Sequence, residues 1–357
     1  MRFIHTSNIH IGMSPDPDKP WSESRSDDLR KTFEDIINLC KNESIDLLMI
    51  SGNLFNYQPT TEDLTYVDRL FKTIPDTNVL IVAGSSDHIK SNSPILNYVF
   101  SDNVHYFLSS APDTYYIKDK KICIHGISCF SLEDPSTVIN SITSDNDNNT
   151  HILMFHGSDS RHLPCDINKL AEKNFSYVAL GLSHNFQEVV RNKIYYSGSP
   201  EPLDQNDEGN HGVIYGEINN KTHEITKIEF VKTAKLSYIP IKIKINSKTS
   251  ESDVVELVDR EVLRQGNNNI YKIILEGMRD PDIEFDSDIF NKSIKIASFE
   301  DQSNPKYDFI KLSSEHPQDM IGAFIRKMTL TNNNPSDIEK NALYYGTQAL
   351  LKSTEKD

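Results

Sequence analysis

Short apolar runs recur along the first half of this chain, and each ends at a polar loop. Residues 45–50 (IDLLMI) and 78–83 (NVLIVA) are two such runs. A strand buried on both faces has this nearly continuous pattern, because helices cover both sides of a parallel sheet. Apolar residues at helical spacing occur in 29–41 and 61–73, whereas 13–28 is predicted to be a polar loop. The resulting βαβαβ order predicts an α/β fold.

The loops that follow these strands carry the side chains of chemical interest. Asn8 and His10 come directly after the first predicted strand. In open α/β sheets, ligands bind outside the carboxyl ends of the strands, so side chains from different loops can meet in one cleft. Four later loops have the same position: 52–56 (GNLFN), 84–88 (GSSDH), 156–158 (HGS) and 181–184 (GLSH). Their glycines suit the tight turns that end such strands.

The pattern changes after residue 235. Residues 239–245 alternate with period two, 254–263 have helical spacing and 270–275 form another apolar run, which indicates a separate α+β unit. Two amphipathic helices are predicted near the end, with apolar stripes formed by Ile321, Phe324, Ile325 and Met328 and by Ile338, Ala342, Tyr345 and Ala349. The predicted domains are therefore 1–235, 236–312 and 313–357.

Charge and cysteine usage restrict the environment and the partners. The net charge of −15 argues against an extended basic surface that binds nucleic acid. Any DNA contact must therefore use a local patch or a partner subunit. No run of about 18 apolar residues occurs, so no membrane span is expected. The four cysteines, Cys40, Cys123, Cys129 and Cys165, form no CxxC pair and are predicted to be reduced thiols in a cytoplasmic protein.

In their order and spacing, the five strand-end loops resemble those of the calcineurin-like binuclear metallophosphoesterases, and most closely the SbcD-type DNA repair exonucleases. That family has Asp-x-His, Gly-Asp-x-x-Asp, Gly-Asn-His-Asp, His-Gly and Gly-His-x-His at the corresponding places. Residues 3–7 (FIHTS) and 198–204 (GSPEPLD) also resemble its bacterial branch. The resemblance implies a two-sheet α/β sandwich, a small α+β cap domain and a helical C-terminal tail.

The resemblance also assigns roles to individual residues. In the family, two Mn²⁺-like ions clamp a phosphodiester and activate a water for in-line attack. Carried over to this chain, the positions of the first ion's ligands hold Asn8, His10, Asn53 and His184. Those of the second ion hold Asn53, Ser85, His156 and Leu182, and Ser86 stands at the position of the general acid.

These residue types are a poor match to that chemistry. Hard divalent ions need anionic oxygens, and the amides of Asn8 and Asn53 bring no charge. Leu182 cannot ligate, so the second ion is predicted to be lost. For the first, two alternatives stay open: no metal, or one weakly bound Mn²⁺ or Zn²⁺ held mainly by His10 and His184. Rescue by nearby Asp87, His88, Asp159 or His162 is the less favoured reading, because metal sites tolerate little misplacement.

Two functional hypotheses follow. The first is an inactive SbcD-like pseudo-nuclease that binds an SbcC-type coiled-coil ATPase through its C-terminal helices. It would bind DNA ends within that complex, and a homodimer is compatible with this hypothesis. The second is an active Mn²⁺-dependent DNA exonuclease or phosphodiesterase with altered ligands. Loss of every metal-ligand carboxylate favours the first. A third, weaker alternative is a nucleotide or phosphate sensor that uses the vacated cleft.

Overall fold

The computed structural model describes residues 1–129, 142–144, 147–157, 166–330 and 336–354. The chain divides into two compact units, Met1–Tyr238 and Ile239–Asp357. The strands of the first unit are β1 (Arg2–Thr6), β2 (Leu47–Ser51), β3 (Asn78–Val82), β4 (Val104–Phe107), β5 (Asp113–Ile117), β6 (Ile122–Ile127), β7 (Thr150–Phe155), β8 (Tyr177–Leu180), β9 (Gln187–Val190), β10 (Ile194–Tyr196), β11 (Gly212–Asn219) and β12 (Glu224–Lys232). The helices described in it are α1 (Ser22–Asn42), α2 (Thr61–Phe71) and α3 (Ile167–Glu172).

Two six-stranded sheets form the first unit. One has the order β12-β11-β1-β2-β3-β4, in which β1 to β4 run parallel and β11 is antiparallel to both its neighbours. The other has the order β5-β6-β7-β8-β10-β9, with a parallel centre from β6 through β10. The loops at 7–11, 52–56 and 84–88 follow adjacent parallel strands, so they lie at one edge of the sheet.

Alternation along the strands divides the core into layers. Phe3 and Met49 pack in a buried cluster with Ile124 and Met154 of the second sheet, so this cluster lies between the two sheets. Ile4, next to Phe3, belongs to a different cluster that covers the first sheet with α1 and α2. Successive side chains of a strand point to opposite faces, which explains this division. The two-sheet α/β sandwich predicted from the sequence is confirmed.

The first helix is longer than its apolar pattern predicts, since α1 begins at Ser22 within the stretch predicted to be a loop. The residue that its first turns bury is Arg25, which makes an ion pair with Glu201 at 3.2 Å and donates to the Pro202 carbonyl at 2.7 Å. Thr32 also donates to the Glu201 carboxylate, at 2.7 Å. A helix face buried through an ion pair has no apolar periodicity, so the pattern does not extend to it.

The second unit contains an α+β part and a helical C-terminal part. Its elements are β13 (Tyr238–Ile245, beginning at the last residue of the first unit), α4 (Glu251–Gln265), β14 (Ile270–Arg279), β15 (Ile296–Asp301), β16 (Asn304–Pro305), α5 (Phe309–Glu315), α6 (Met320–Leu330) and α7 (Asp337–Thr354). Val254, Val258 and Val262 of α4 pack on Ile241 and Ile273 of the sheet. A capping box at Ser250 and Asp253 starts α4 by satisfying the first backbone N–H groups.

The last helices bury one predicted stripe and expose the other. On α6, Ile321 and Ile325 are buried. On α7, Ile338 and Tyr345 are 81% and 63% exposed, and the contacts run through another face, where Tyr344 packs on Tyr307 and Phe309. In the part of the chain that the structure describes, no helix is both long enough and apolar enough to span a membrane.

Candidate functional site

The loops after β1 and β2 run side by side beyond the ends of their strands. The backbone N–H groups of Asn8 and His10 donate to the carbonyls of Gly52 and Asn53, each at 3.0 Å. Asn8, His10 and Asn53 all adopt left-handed backbone angles, with φ between 51° and 54°. Such angles are uncommon for residues other than glycine and concentrate at functional sites. The fold therefore holds these three residues in a specific, mildly strained arrangement.

The side chains of Asn8 and Asn53 are paired with each other. Asn53 Nδ2 donates to Asn8 Oδ1 at 3.0 Å, Asn53 Oδ1 accepts from the Ser86 backbone N–H at 2.9 Å, and Asn8 Nδ2 donates to the Ser183 carbonyl at 3.1 Å. Both amides are buried. Their orientations follow from the partners, because a backbone N–H can only donate and a carbonyl can only accept. Two carboxylates at this separation would repel without a cation between them, whereas two amides attract.

His10 and His184 face each other edge to face, with ring centroids 6.1 Å apart. His10 Nδ1 donates to Asn56 Oδ1 at 3.0 Å, and His184 Nδ1 donates to the Asp207 carboxylate at 3.0 Å. Burial lowers the pKa of His10 to about 4, and the hydrogen bond to Asp207 raises the pKa of His184. A polar partner on Nδ1 orients the ring for ligation through Nε2, as in metal-binding histidines.

The Nε2 atom of His10 is buried without a hydrogen-bond partner. An unpaired buried acceptor is unfavourable by about 1–3 kcal/mol, which a ligand at this position would relieve. The His10 and His184 pair could thus hold one cation loosely. Neither ring is accompanied by a ligating carboxylate: among the described residues, the single group of three His, Cys, Asp or Glu ligand atoms close enough for a metal is Cys123, Asp147 and His151.

His156 is fully buried and hydrogen-bonded to protein groups. Its Nδ1 donates to the Ser51 carbonyl at 3.1 Å, and Ser85 Oγ donates to its Nε2 at 3.4 Å. A Cβ at Gly52, whose φ is +93°, would lie 2.4 Å from His156 Nδ1, so only glycine fits there. The Leu182 side chain lies against Gly157. Two of the positions assigned to the second ion are therefore unsuited to it. Ser85 offers a hydroxyl that is already paired with the His156 imidazole, and Leu182 offers an aliphatic side chain.

Asp87 is a buried carboxylate bonded to the Asn53 backbone, and backbone groups occupy its oxygens. It accepts from the backbone N–H groups of Asn53 at 3.2 Å, Phe55 at 3.1 Å and Gly84 at 2.7 Å. Burial raises its pKa to about 6. His88 Nδ1 donates to the Ser85 carbonyl at 2.9 Å. Of the other candidates for rescue, Asp159 and His162 lie outside the described residues, as does Cys165.

Sequence reasoning did not identify Asp207 or Asn56 as partners of the two histidines. Asp207 also accepts from the Leu203 backbone N–H at 2.9 Å, and its own carbonyl accepts from His211 Nε2 at 3.1 Å. Burial alone would raise the pKa of Asp207, but its bonds to His184 and Leu203 outweigh it and hold that pKa below the usual value. The sequence contains only a weak indication of the role of Asp207, which is that it follows the GSPEPLD stretch by three residues.

By donor chemistry, the residues at this edge do not fit a pair of divalent cations. Asn8 and Asn53 occupy the positions that the resemblance assigns to a terminal and a bridging carboxylate. Their side chains are neutral and hydrogen-bonded to each other, and Leu182 offers no metal-ligating atom. Divalent ions of the Mn²⁺ class need carboxylate oxygens to offset their charge. What the edge offers is a buried, hydrogen-bonded amide pair and two adjacent imidazoles.

Comparison with known proteins gives a family and two relatives. The model of the calcineurin-like phosphoesterase family matches residues 1–216. The DNA double-strand break repair protein Mre11 of Saccharolobus solfataricus is 23% identical over 301 residues, which are 78% of this chain and 76% of that protein. Mre11 of Methanopyrus kandleri is 23% identical over 227 residues, covering 57% of this chain and 49% of that protein.

Among solved structures, TT1561 of Thermus thermophilus aligns with a TM-score of 0.39 and 12% identity, over 65% of this chain and 98% of that chain.

Proposed function

The chain belongs to the calcineurin-like phosphoesterase family, in the branch of SbcD- and Mre11-type proteins, and on this premise we propose that it is a catalytically inactive DNA-repair subunit. In this reading it keeps the nuclease fold and its partner surfaces but does not cleave DNA. Homology to DNA-repair nucleases supports the general role, and the chemistry of the strand-end edge supports the inactivity.

The observation that carries the proposal is the hydrogen bond between the amides of Asn8 and Asn53. Without a bridging carboxylate, two cations about 4 Å apart repel by about 4 kcal/mol per pair of unit charges at an effective dielectric of about 20, and by roughly four times that for two dications. The amide pair needs no cation to bring its two side chains together. This pairing supports the proposal that the edge is stable without metal.

The position of the general acid supports the same conclusion. Ser86 stands there, and its backbone N–H donates to Asn53 Oδ1. A serine hydroxyl does not deliver a proton near neutral pH, and loss of general acid catalysis alone lowers a rate by about 10²–10⁴-fold. Restoring one ligand would leave this deficit in place.

A nuclease assay in Mn²⁺, together with metal analysis of the same purified protein, tests the proposal. We expect no exonuclease activity above background and no stoichiometric manganese. Turnover that His10→Ala abolishes would contradict the proposal, because a contaminating nuclease would be insensitive to that substitution.

A second candidate, a nuclease with altered ligands, is favoured by one observation: the unpaired Nε2 of His10 beside His184. We expect at most one weakly bound ion there. Because two imidazoles hold Zn²⁺ only loosely, this ion should be lost on dialysis, and the assay above decides whether it supports cleavage.

For the partner, we propose an SbcC-type coiled-coil ATPase that contacts α7. Ile338, Ala342, Tyr345 and Ala349 recur at helical spacing and are all exposed, whereas the stripe of α6 is largely used within its own unit. Residues 311–357 carry six basic and six acidic side chains, in a chain whose net charge is −15. A neutral helix with an exposed apolar stripe suits docking into a groove or against another helix.

A further inference from the structure

A second cluster of potential ligands lies far from the strand-end edge, near the start of β6 and β7. Cys123 and His151 are direct neighbours across these two parallel strands, and Asp147 precedes β7. One ligand atom from each of the three lies within 4.8 Å of the others. Because His151 is five residues before His156, the cluster lies roughly 16 Å away along the strand.

The cluster is built from side chains of opposite accessibility. Cys123 and His151 are 1% and 2% exposed, whereas the Asp147 side chain is 39% exposed. Asp147 Oδ1 accepts from His151 Nε2 at 2.9 Å and from the Asn149 backbone N–H at 2.8 Å, and Asn149 Nδ2 donates to Oδ2 at 2.6 Å. The two buried ligands are thus fixed by the sheet, and the carboxylate reaches them from the solvent side.

A hydrogen-bond relay orients the His151 ring. His151 Nδ1 is 3.0 Å from His125 Nε2, and His125 Nδ1 is 3.0 Å from Thr114 Oγ1. The two imidazoles are stacked, with centroids 5.3 Å apart and an angle of 15° between their planes. Since a hydroxyl can either donate or accept, the relay can reverse without losing a bond. In one direction, His151 Nδ1 carries the proton; Nε2 then no longer donates to Asp147, and its lone pair can instead bind an ion placed between Cys123 and Asp147.

We propose that Cys123, Asp147 and His151 bind one Zn²⁺ ion, with His125 and Thr114 as residues that position His151. A thiolate with an imidazole and a carboxylate is a donor set for zinc, whereas Mn²⁺ and Mg²⁺ prefer oxygen ligands. Zn–S bonds of about 2.3 Å and Zn–N or Zn–O bonds of about 2.0–2.2 Å place tetrahedral ligand atoms about 3.3–3.7 Å apart. Ligand atoms that lie within 4.8 Å of one another need to approach by about 1.5 Å at most, and the exposed side leaves the fourth position to water.

Such an ion would cross-link separate segments of the fold. It would join two neighbouring strands of the second sheet to the segment that leads into β7, at the end of the sheet remote from His156. The inference does not depend on whether the strand-end edge binds metal, because no residue is shared between the two places.

Cobalt substitution of the full chain tests the inference. A Co²⁺–thiolate bond gives a charge-transfer band in the near ultraviolet, and tetrahedral coordination gives intense visible bands. We expect both with the wild-type protein, at one equivalent of Co²⁺, and competition by Zn²⁺. Cys123→Ser should abolish the charge-transfer band, and Asp147→Asn, at an exposed position that keeps the fold intact, should weaken Zn²⁺ binding by about 10-fold or more.

Two controls separate this cluster from other sites. Cys40→Ser changes a buried thiol within the apolar core around α1 and should leave the band intact. The double variant His10→Ala/His184→Ala should also retain it. His125→Ala should lower the affinity by about 10–100-fold without removing a ligand, as loss of an orienting partner does. Absence of the band in the wild type, or its survival in Cys123→Ser, would overturn the inference.

Discussion

An amide differs from a carboxylate by one atom and carries no charge, and at this edge two amides meet. The Asn8 and Asn53 amides satisfy each other and the groups around them. Buried polar groups that are fully paired stabilise one arrangement, because any partial loss of pairing is unfavourable. The hydrogen bonds of this amide pair are therefore complete without a cation.

Asn53→Asp should destabilise the protein in metal-free buffer by about 1–3 kcal/mol, because it removes the donor to Asn8 Oδ1 and places an anion against that oxygen. Nuclease activity should not appear in Mn²⁺, since Ser85, Ser86 and Leu182 are unchanged. Thermal or denaturant unfolding measures the first effect, and the exonuclease assay measures the second.

Asn56→Asp is the matched control. The chemical change is the same, but Asn56 Oδ1 accepts from His10 Nδ1, so a carboxylate oxygen keeps that bond. We expect little or no loss of stability. Equal destabilisation by the two variants would show that the amide pair has no special importance.

The segment after β10 is held to α1 by the buried ion pair of Arg25 and Glu201, both fully buried. Glu201→Gln should lower the free energy of unfolding by about 3–5 kcal/mol, because it removes the fully buried counter-charge of the guanidinium and leaves only the partly exposed Asp28. Asp28→Asn removes the other, partly exposed partner of Arg25 and should lower the free energy of unfolding by less than about 1 kcal/mol. Urea unfolding of both variants compares them, and similar losses would contradict the expectation.

Helix α2 is tied to the loop before β4 through Asp68, which accepts from the Ser101 backbone N–H at 2.9 Å and from Lys72 Nζ at 2.9 Å. Burial by itself would raise the pKa of Asp68, but the bonds from Ser101 and Lys72 outweigh it and lower that pKa. A carboxyl whose pKa is depressed on folding stabilises the protein above its unfolded pKa of about 3.9 and loses that contribution as pH falls through its folded pKa.

Asp68→Asn should therefore be less stable than the wild type at pH 7. The expected difference in the free energy of unfolding is about 1–2 kcal/mol, because the variant weakens hydrogen bonds to a charged acceptor. The difference between the two proteins should shrink as the pH is lowered below about 4. The exposed Asp76 serves as control, and Asp76→Asn should follow the wild-type curve throughout. A difference that stays constant down to pH 2 would contradict the assignment.

The C-terminal unit leaves a row of apolar side chains on α7 at its surface. Introducing Glu at both Ile338 and Tyr345 should leave the melting temperature unchanged, because both side chains are exposed. Co-purification with an SbcC-type ATPase should be lost, since each apolar side chain buried in a contact contributes about 1.5–3 kcal/mol.

Leu263→Glu provides the comparison for that experiment, because Leu263 is an equally exposed apolar residue of α4 in the same unit. It should retain the ATPase. If the double variant on α7 still binds, the contact lies elsewhere; if Leu263→Glu also loses binding, general surface apolarity rather than α7 is responsible.

Local patterns in the sequence were enough for the α/β class and for the ends of the strands, whereas the two-sheet sandwich was predicted from the resemblance of the loop motifs. A strand covered on both faces must be apolar at consecutive positions, as at 47–50, and such a run is visible without knowledge of its neighbours. The loops after these strands share one edge because parallel strands end together. The same reasoning predicted that Asn8 and Asn53 lie near one another, and the motif order indicated the family and added His184 to the group.

Pairings between distant positions were decided only by the tertiary structure. Asn8 and Asn53 are 45 residues apart, and Arg25 and Glu201 are 176 apart. Periodicity reports which face of an element is apolar, but a hydrogen bond or an ion pair depends on strand register and loop course, which no local pattern contains. For the same reason, the sequence predicted two apolar stripes near the C-terminus, and only the packing of α6 and α7 determined that the second one is exposed.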